Sequence, residues 1–178
     1  MAYSAKELLE QSKEIYDDEN NRLKEGAREA SKGSFTGGAR WMMQALRCLR
    51  NDTNDLPQAN YELLGCFKYG LALLAGLGAG GVSLFISPFI APFSFILTFY
   101  AVEAQFVFLF PIVIDRNQSP FCTSLVLAKK AGGTFKVMRT VMPIALFMLT
   151  GGFIGKGFLR SWCIGCLAIV IWYEAVRE

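Results

Sequence analysis

The 178-residue sequence is 53% hydrophobic, with 15 phenylalanines, no histidine and a formal net charge of +3. An ordinary globular domain is about 45–50% apolar, so composition alone does not set the class. It does exclude Ser–His and Cys–His dyads and axial histidine ligation of haem, and bases spread along apolar segments give no case for nucleic acid.

Five cysteines, at 48, 66, 122, 163 and 166, are an odd number and fit no small disulfide framework. Without histidine, and with one close cysteine pair, a structural zinc site is not expected, and no cofactor is implied. Residues 1–32 are rich in Lys, Glu, Asp and Arg and resemble neither a signal peptide nor a transit peptide. Insertion is therefore expected to be directed by internal apolar segments.

In chain order, residues 4–31 predict a charged cytoplasmic helix, opened by Ser4 with Glu7 three residues on, the spacing of a capping box. Its thin stripe of Leu8, Leu9, Ile15, Tyr16, Leu23 and Ala27 suits docking but not independent folding. Residues 33–38 read as a flexible break. Arg40 to Arg50 then reads as an amphipathic helix, with Arg40, Arg47 and Arg50 on one face and Trp41, Met42, Ala45, Leu46 and Leu49 on the other. Such a helix lies in a membrane interface or packs on the protein's own hairpins. A turn at 51–57 follows, and Pro57 is expected in the first turn of the next helix; the turn lacks the glycine and distal glutamate of a calcium loop.

Residues 69–102 contain no Asp, Glu, Lys or Arg. As one helix this run would extend about 51 Å, well beyond a hydrocarbon core of about 30 Å. It must turn back, and Ser87-Pro88 with Pro92 mark the turn. The arms are predicted as Leu64–Ile86 and Phe93–Ile114. Residues 121–140 predict a basic loop with helical character around Gly132-Gly133, interfacial more than spanning. Two shorter stretches, 140–155 and 161–173, give about 24 Å and about 20 Å of uncharged helix, which span only if Arg139, Lys156 and Arg160 snorkel; otherwise this hairpin dips in without crossing.

The expected fold is thus an all-α membrane protein of two helical hairpins with amphipathic cytoplasmic helices. Its segments are 1–32 (charged helix), 33–63 (linker and interfacial helix), 64–114 (first hairpin), 115–139 (basic loop) and 140–178 (second hairpin and C-terminus). Bases concentrate in the 33–68 flank, in the central loop (Arg116, Lys129, Lys130, Lys136, Arg139) and at Arg177, against only Lys156 and Arg160 in the opposite turns. Both termini are therefore expected on the cytoplasmic side.

Several features could carry function. Ala72, Gly76 and Gly80, and likewise Gly151 and Gly155, stand four apart and allow close helix packing, within the chain or between copies. Glu103 falls near the middle of the second arm, where an acidic group costs roughly 2.5–3.5 kcal/mol, and Lys68, Lys156 and Arg160 are expected at helix ends, out of its reach. A protonated interhelical hydrogen bond or an ion pathway follows from that placement. Asp115-Arg116 with Glu174 and Arg177 could bind a lipid headgroup.

Ser161-Trp162-Cys163-Ile164-Gly165-Cys166 carries a C-x-x-C pair whose position resembles that of quinone-coupled membrane disulfide oxidoreductases. The resemblance implies a redox role for Cys163 and Cys166, but it also implies a second outer cysteine pair, which is missing; two small residues packing in a helix is the alternative. The function that accommodates most of these features is a non-catalytic membrane module that associates with itself or with a membrane partner. The alternatives are a small transporter or channel using Glu103 and a thiol oxidoreductase.

Overall fold

A computed structural model describes residues 4–18, 23–24, 26–27, 35–51, 55–151 and 157–178, and every regular element among them is helical. The elements are α1 (Ala5–Asp18), α2 (Phe35–Arg50), α3 (Tyr61–Leu84), α4 (Ala91–Gln105), α5 (Leu109–Ile114), α6 (Pro120–Lys130), α7 (Thr134–Thr150) and α8 (Phe158–Arg177). Among the described residues, three stretches are long and apolar enough to cross a membrane: Tyr61–Leu84, Ala91–Ile114 and Phe158–Arg177. The 17-residue α7 is not one of them.

Helix α1 opens with the expected capping box: Ser4 N donates to Glu7 Oε2 at 3.0 Å, and Glu7 N donates to Ser4 Oγ at 3.2 Å. Its buried positions, Leu8, Ser12 and Tyr16, are four apart and face α7 and α8. The expected continuation to residue 31 lies partly outside the described residues.

Helix α2 begins five residues earlier than the sequence suggests, taking in Gly37 and Gly38 where a flexible break was expected. Three tertiary contacts outweigh glycine's low helix propensity. The Glu62 carboxylate accepts the Phe35 and Thr36 backbone amides at 3.3 and 2.9 Å, capping the helix from another element. Phe35 stacks between Tyr69 and Phe110, and Gly38 lies against Trp162. The apolar face of α2 packs inside the protein: Trp41 is 1% exposed, and its indole Nε1 donates to Leu23 O at 3.2 Å.

Pro57 is not in the first turn of α3; the N-cap is Asn60, whose side chain accepts the Leu63 amide at 2.9 Å. The buried positions of α3 form one stripe, Tyr61, Gly65, Lys68, Ala72, Gly76 and Gly80. That stripe seats α4. A Cβ at Gly76 would stand 3.0 Å from the Phe95 ring, and one at Gly80 would stand 3.4 Å from Ala91 O, so the small residues let the backbones close up within the chain. Near the tip the Ser83 and Ser94 hydroxyls are hydrogen-bonded at 2.7 Å.

The second arm is not one continuous helix. It stops at Gln105, turns through Phe106–Phe108 and resumes as α5. Pro111 accounts for the break, because it donates no amide and its ring crowds the carbonyl four residues back. Beyond the neck the hairpin is exposed on its outer faces: Leu74 71%, Phe85 94%, Phe89 83% and Phe93 74%.

The basic loop with helical character expected at 121–140 consists of helix α6, a tight turn and the start of α7. Gly132 and Gly133 adopt φ of 113° and 83°, values that side-chain-bearing residues resist. Helix α8 is the core of the bundle, with Cys163, Leu167, Ala168 and Val170 all at 0% exposure. Asp17 at the end of α1 pairs with Arg160 at 2.8 Å. The end of α1 therefore meets the first turn of α8.

Candidate functional site: a buried ion pair beside a cavity

Each step of four residues along the α3 stripe is matched by a step in the reverse direction along α4, and at the neck this register brings Lys68 against Glu103. Lys68 Nζ lies 2.8 Å from Glu103 Oε1, with side-chain exposures of 4% and 11%. The expectation that no base reaches Glu103 is thus corrected. Lys68 sits in the same stripe as Ala72 and Gly76, so its side chain points at α4, and the helix break after Gln105 places Glu103 at the base of the arm. The two charges bound the uncharged run at both of its ends.

Lys68 Nζ also lies over the Tyr69 ring, 5.0 Å from its centroid. Glu103 Oε1 is occupied by Lys68, but Oε2 is buried and has no hydrogen-bond partner among the described residues. A cavity of about 440 Å³ adjoins the pair, bounded by residues of α2, α3, α4, α5, α7 and α8. Its walls are apolar over most of their extent, with Phe99, Ile144 and Met148 among them, and its polar groups come from Lys68, Tyr69, Tyr100, Glu103 and Cys166.

A second polar cluster closes the other end of the bundle. Arg50 clamps Asp115 with two bonds of 2.7 and 3.0 Å and reaches Glu174 through Nε at 3.0 Å and through a further short contact. Arg177 and the Tyr173 hydroxyl also donate to Asp115 Oδ2, at 2.7 and 2.6 Å. The carboxylates considered for a lipid headgroup are thus engaged by the protein's own cations. Burial pushes the Asp115 carboxyl up, but Arg50, Tyr173 and Arg177 together hold it below its ordinary 3.8.

A carboxyl depressed by folding stabilises the protein above the unfolded value, and that contribution is lost as pH falls through the folded value. Unfolding in mixed micelles followed downward from ~pH 5 should therefore show stability falling below the ordinary carboxylate range. Asp115→Asn should flatten the slope; an unchanged slope would remove Asp115 from the account.

The remaining sequence candidates are dispersed. Of the expected surface bases, Arg40, Lys129, Lys130, Lys136 and Arg139 are exposed, Arg47 pairs with Asp55 at 2.9 Å, and Arg50 turns inward to the carboxylate cluster. Cys163 and Cys166 carry free thiols at 0% and 4% exposure. Such burial suits packing better than exchange, although Cys166 reaches the cavity wall. Gly151 packs on Ser161, whose Oγ a Cβ there would meet at 1.8 Å; Gly155 lies outside the described residues.

Sequence reasoning missed Lys68 as a partner, although its place four residues before Ala72 in the glycine stripe was a usable signal. It also missed the joining of Arg50 to Asp115 and Glu174, for which no local pattern exists. In comparisons with known proteins, no family model, curated protein or solved structure matches the chain.

Proposed function

We propose that the protein is a non-catalytic integral membrane module, anchored by the α3–α4 hairpin, that assembles with itself or with a membrane partner. The supporting observation is the exposure of apolar side chains around a charge-free hairpin whose neck is closed by an ion pair. From Lys68 to its end at Leu84 the first arm measures about 24 Å, most of a hydrocarbon thickness of about 30 Å, and the second, from Ala91 to Glu103, about 18 Å. Charged termini flanking such an anchor suit the cytoplasmic side, and the Asp17–Arg160 pair favours an α7–α8 hairpin that returns without crossing. A fixed counterion on Glu103 weighs against an ion pathway, and buried thiols weigh against disulfide exchange.

Assembly is supported by a second set of small residues. Gly70, Gly78 and Gly81 lie on the side of α3 away from α4, and a Cβ at any of them would meet nothing within 4 Å. The test is the subunit count of the protein in lipid nanodiscs, by mass photometry. Dimers or larger species, or a retained partner protein, are expected, and the double change Gly78→Leu, Gly81→Leu should shift them to monomer without loss of helix. A wild-type monomer lacking any partner would sink the assembly reading, and so would a pH-dependent ion flux in proteoliposomes that Glu103→Gln abolishes.

A further inference from the structure

We propose that the cavity beside the Lys68–Glu103 pair binds a neutral amphiphile: a single apolar chain with a hydroxyl head that donates to Glu103 Oε2. The inference rests on the cavity and the pair alone, and holds whether or not the protein self-associates.

Three observations select this ligand class. The volume of about 440 Å³ lies within the range of small-molecule sites, and the walls are largely apolar, which calls for a hydrocarbon body. Glu103 is 9% exposed, and its Oε2 is buried without a partner among the described residues. A buried acceptor left unpaired is costly, so a ligand that supplies a donor at this atom gains what the protein lacks. The pair itself is electrically balanced. A carboxylate or ammonium ligand would bring an uncompensated charge into a low-dielectric site, whereas an alcohol brings none.

Two further wall residues indicate how such a ligand enters. Leu149 and Phe158 line the cavity and are 57% and 58% exposed, so its rim presents apolar side chains outward. Trp162 also lines the cavity and supplies an optical probe.

The test uses ω-bromodecanol, its methyl ether and ω-bromodecanoate as quenchers of tryptophan fluorescence, with the full chain in saturated phosphatidylcholine nanodiscs. The alcohol should quench saturably above the linear background of partitioning. The ether, which keeps the chain but cannot donate, should bind at least about tenfold more weakly, and so should the carboxylate. Trp162→Phe should remove the saturable component. Lys68→Met with Glu103→Met keeps the cavity apolar without leaving a lone charge, and should make alcohol and ether equal. The proposal is overturned by linear quenching alone with the alcohol, by equal affinities for alcohol and ether in the wild type, or by a preference that survives in the double variant.

Discussion

Lys68→Met is expected to destabilise the protein by about 3–5 kcal/mol, because it leaves Glu103 as an uncompensated charge in a buried neck. The cost arises from desolvation: Glu103 is 11% exposed at its side chain, so water cannot take over the role of Lys68. The companion variant Lys68→Met with Glu103→Met is expected to be near neutral or more stable than wild type, since an apolar pair avoids two desolvation costs. Unfolding in mixed micelles reads both. A small loss in the single variant, or a loss in the double variant as large as in the single, would mean that the two groups are not coupled as their 2.8 Å separation requires.

These energetics bear on why the neck carries charges at all. The glycine stripe brings α3 and α4 close enough that any long side chain at its end must point into the contact. Lys68 occupies that position and Glu103 faces it in the antiparallel register, so a slip by one residue along either arm would separate the charges and bury both unpaired. The pair therefore acts as a register mark for the hairpin. An apolar pair would be at least as stable but would leave the register to the glycines alone.

The apolar helices α3 and α4 were legible in the sequence because their signals are local: a charge-free run too long to be one span, and prolines between the two. The capping box of α1 is local as well, and it forms as read. The extension of α2 through Gly37 and Gly38 was not legible, since the groups that stabilise it, Glu62, Tyr69, Phe110 and Trp162, lie far along the chain. Glu103 was singled out as a buried acid, but its contact with Lys68 was not foreseen, and its placement assumed a continuous helix. Pro111 interrupts that helix, so α4 ends at Gln105, two residues after Glu103. Charge counting takes no account of contacts within the protein: it treats each flank as facing solvent, whereas Arg160 is engaged by Asp17 of α1.

The second large effect is expected at Arg50, which joins three elements distant in sequence: α2, the segment after α5, and α8. Arg50→Met should cost about 2–3 kcal/mol, the scale of hydrogen bonds to charged groups, and less than the loss of Lys68 because Asp115 and Glu174 keep 20% and 27% exposure. Asp115 also retains Tyr173 and Arg177, so the loss falls mainly on the link between α2 and the rest of the bundle. Arg50→Lys separates charge from geometry. An ammonium cannot reproduce the planar fork that serves Asp115 with two bonds while Nε reaches Glu174, so Lys should restore only a minor part of the stability. Hydrogen exchange locates the effect: amides of α2 should lose protection in Arg50→Met, while those of the α3–α4 hairpin remain protected. A double-mutant cycle with Asp115→Asn should give a coupling of about 0.5–3 kcal/mol. Additive losses across that cycle, or full rescue by Lys, would reduce Arg50 to an ordinary surface base with no part in holding α2 to the bundle.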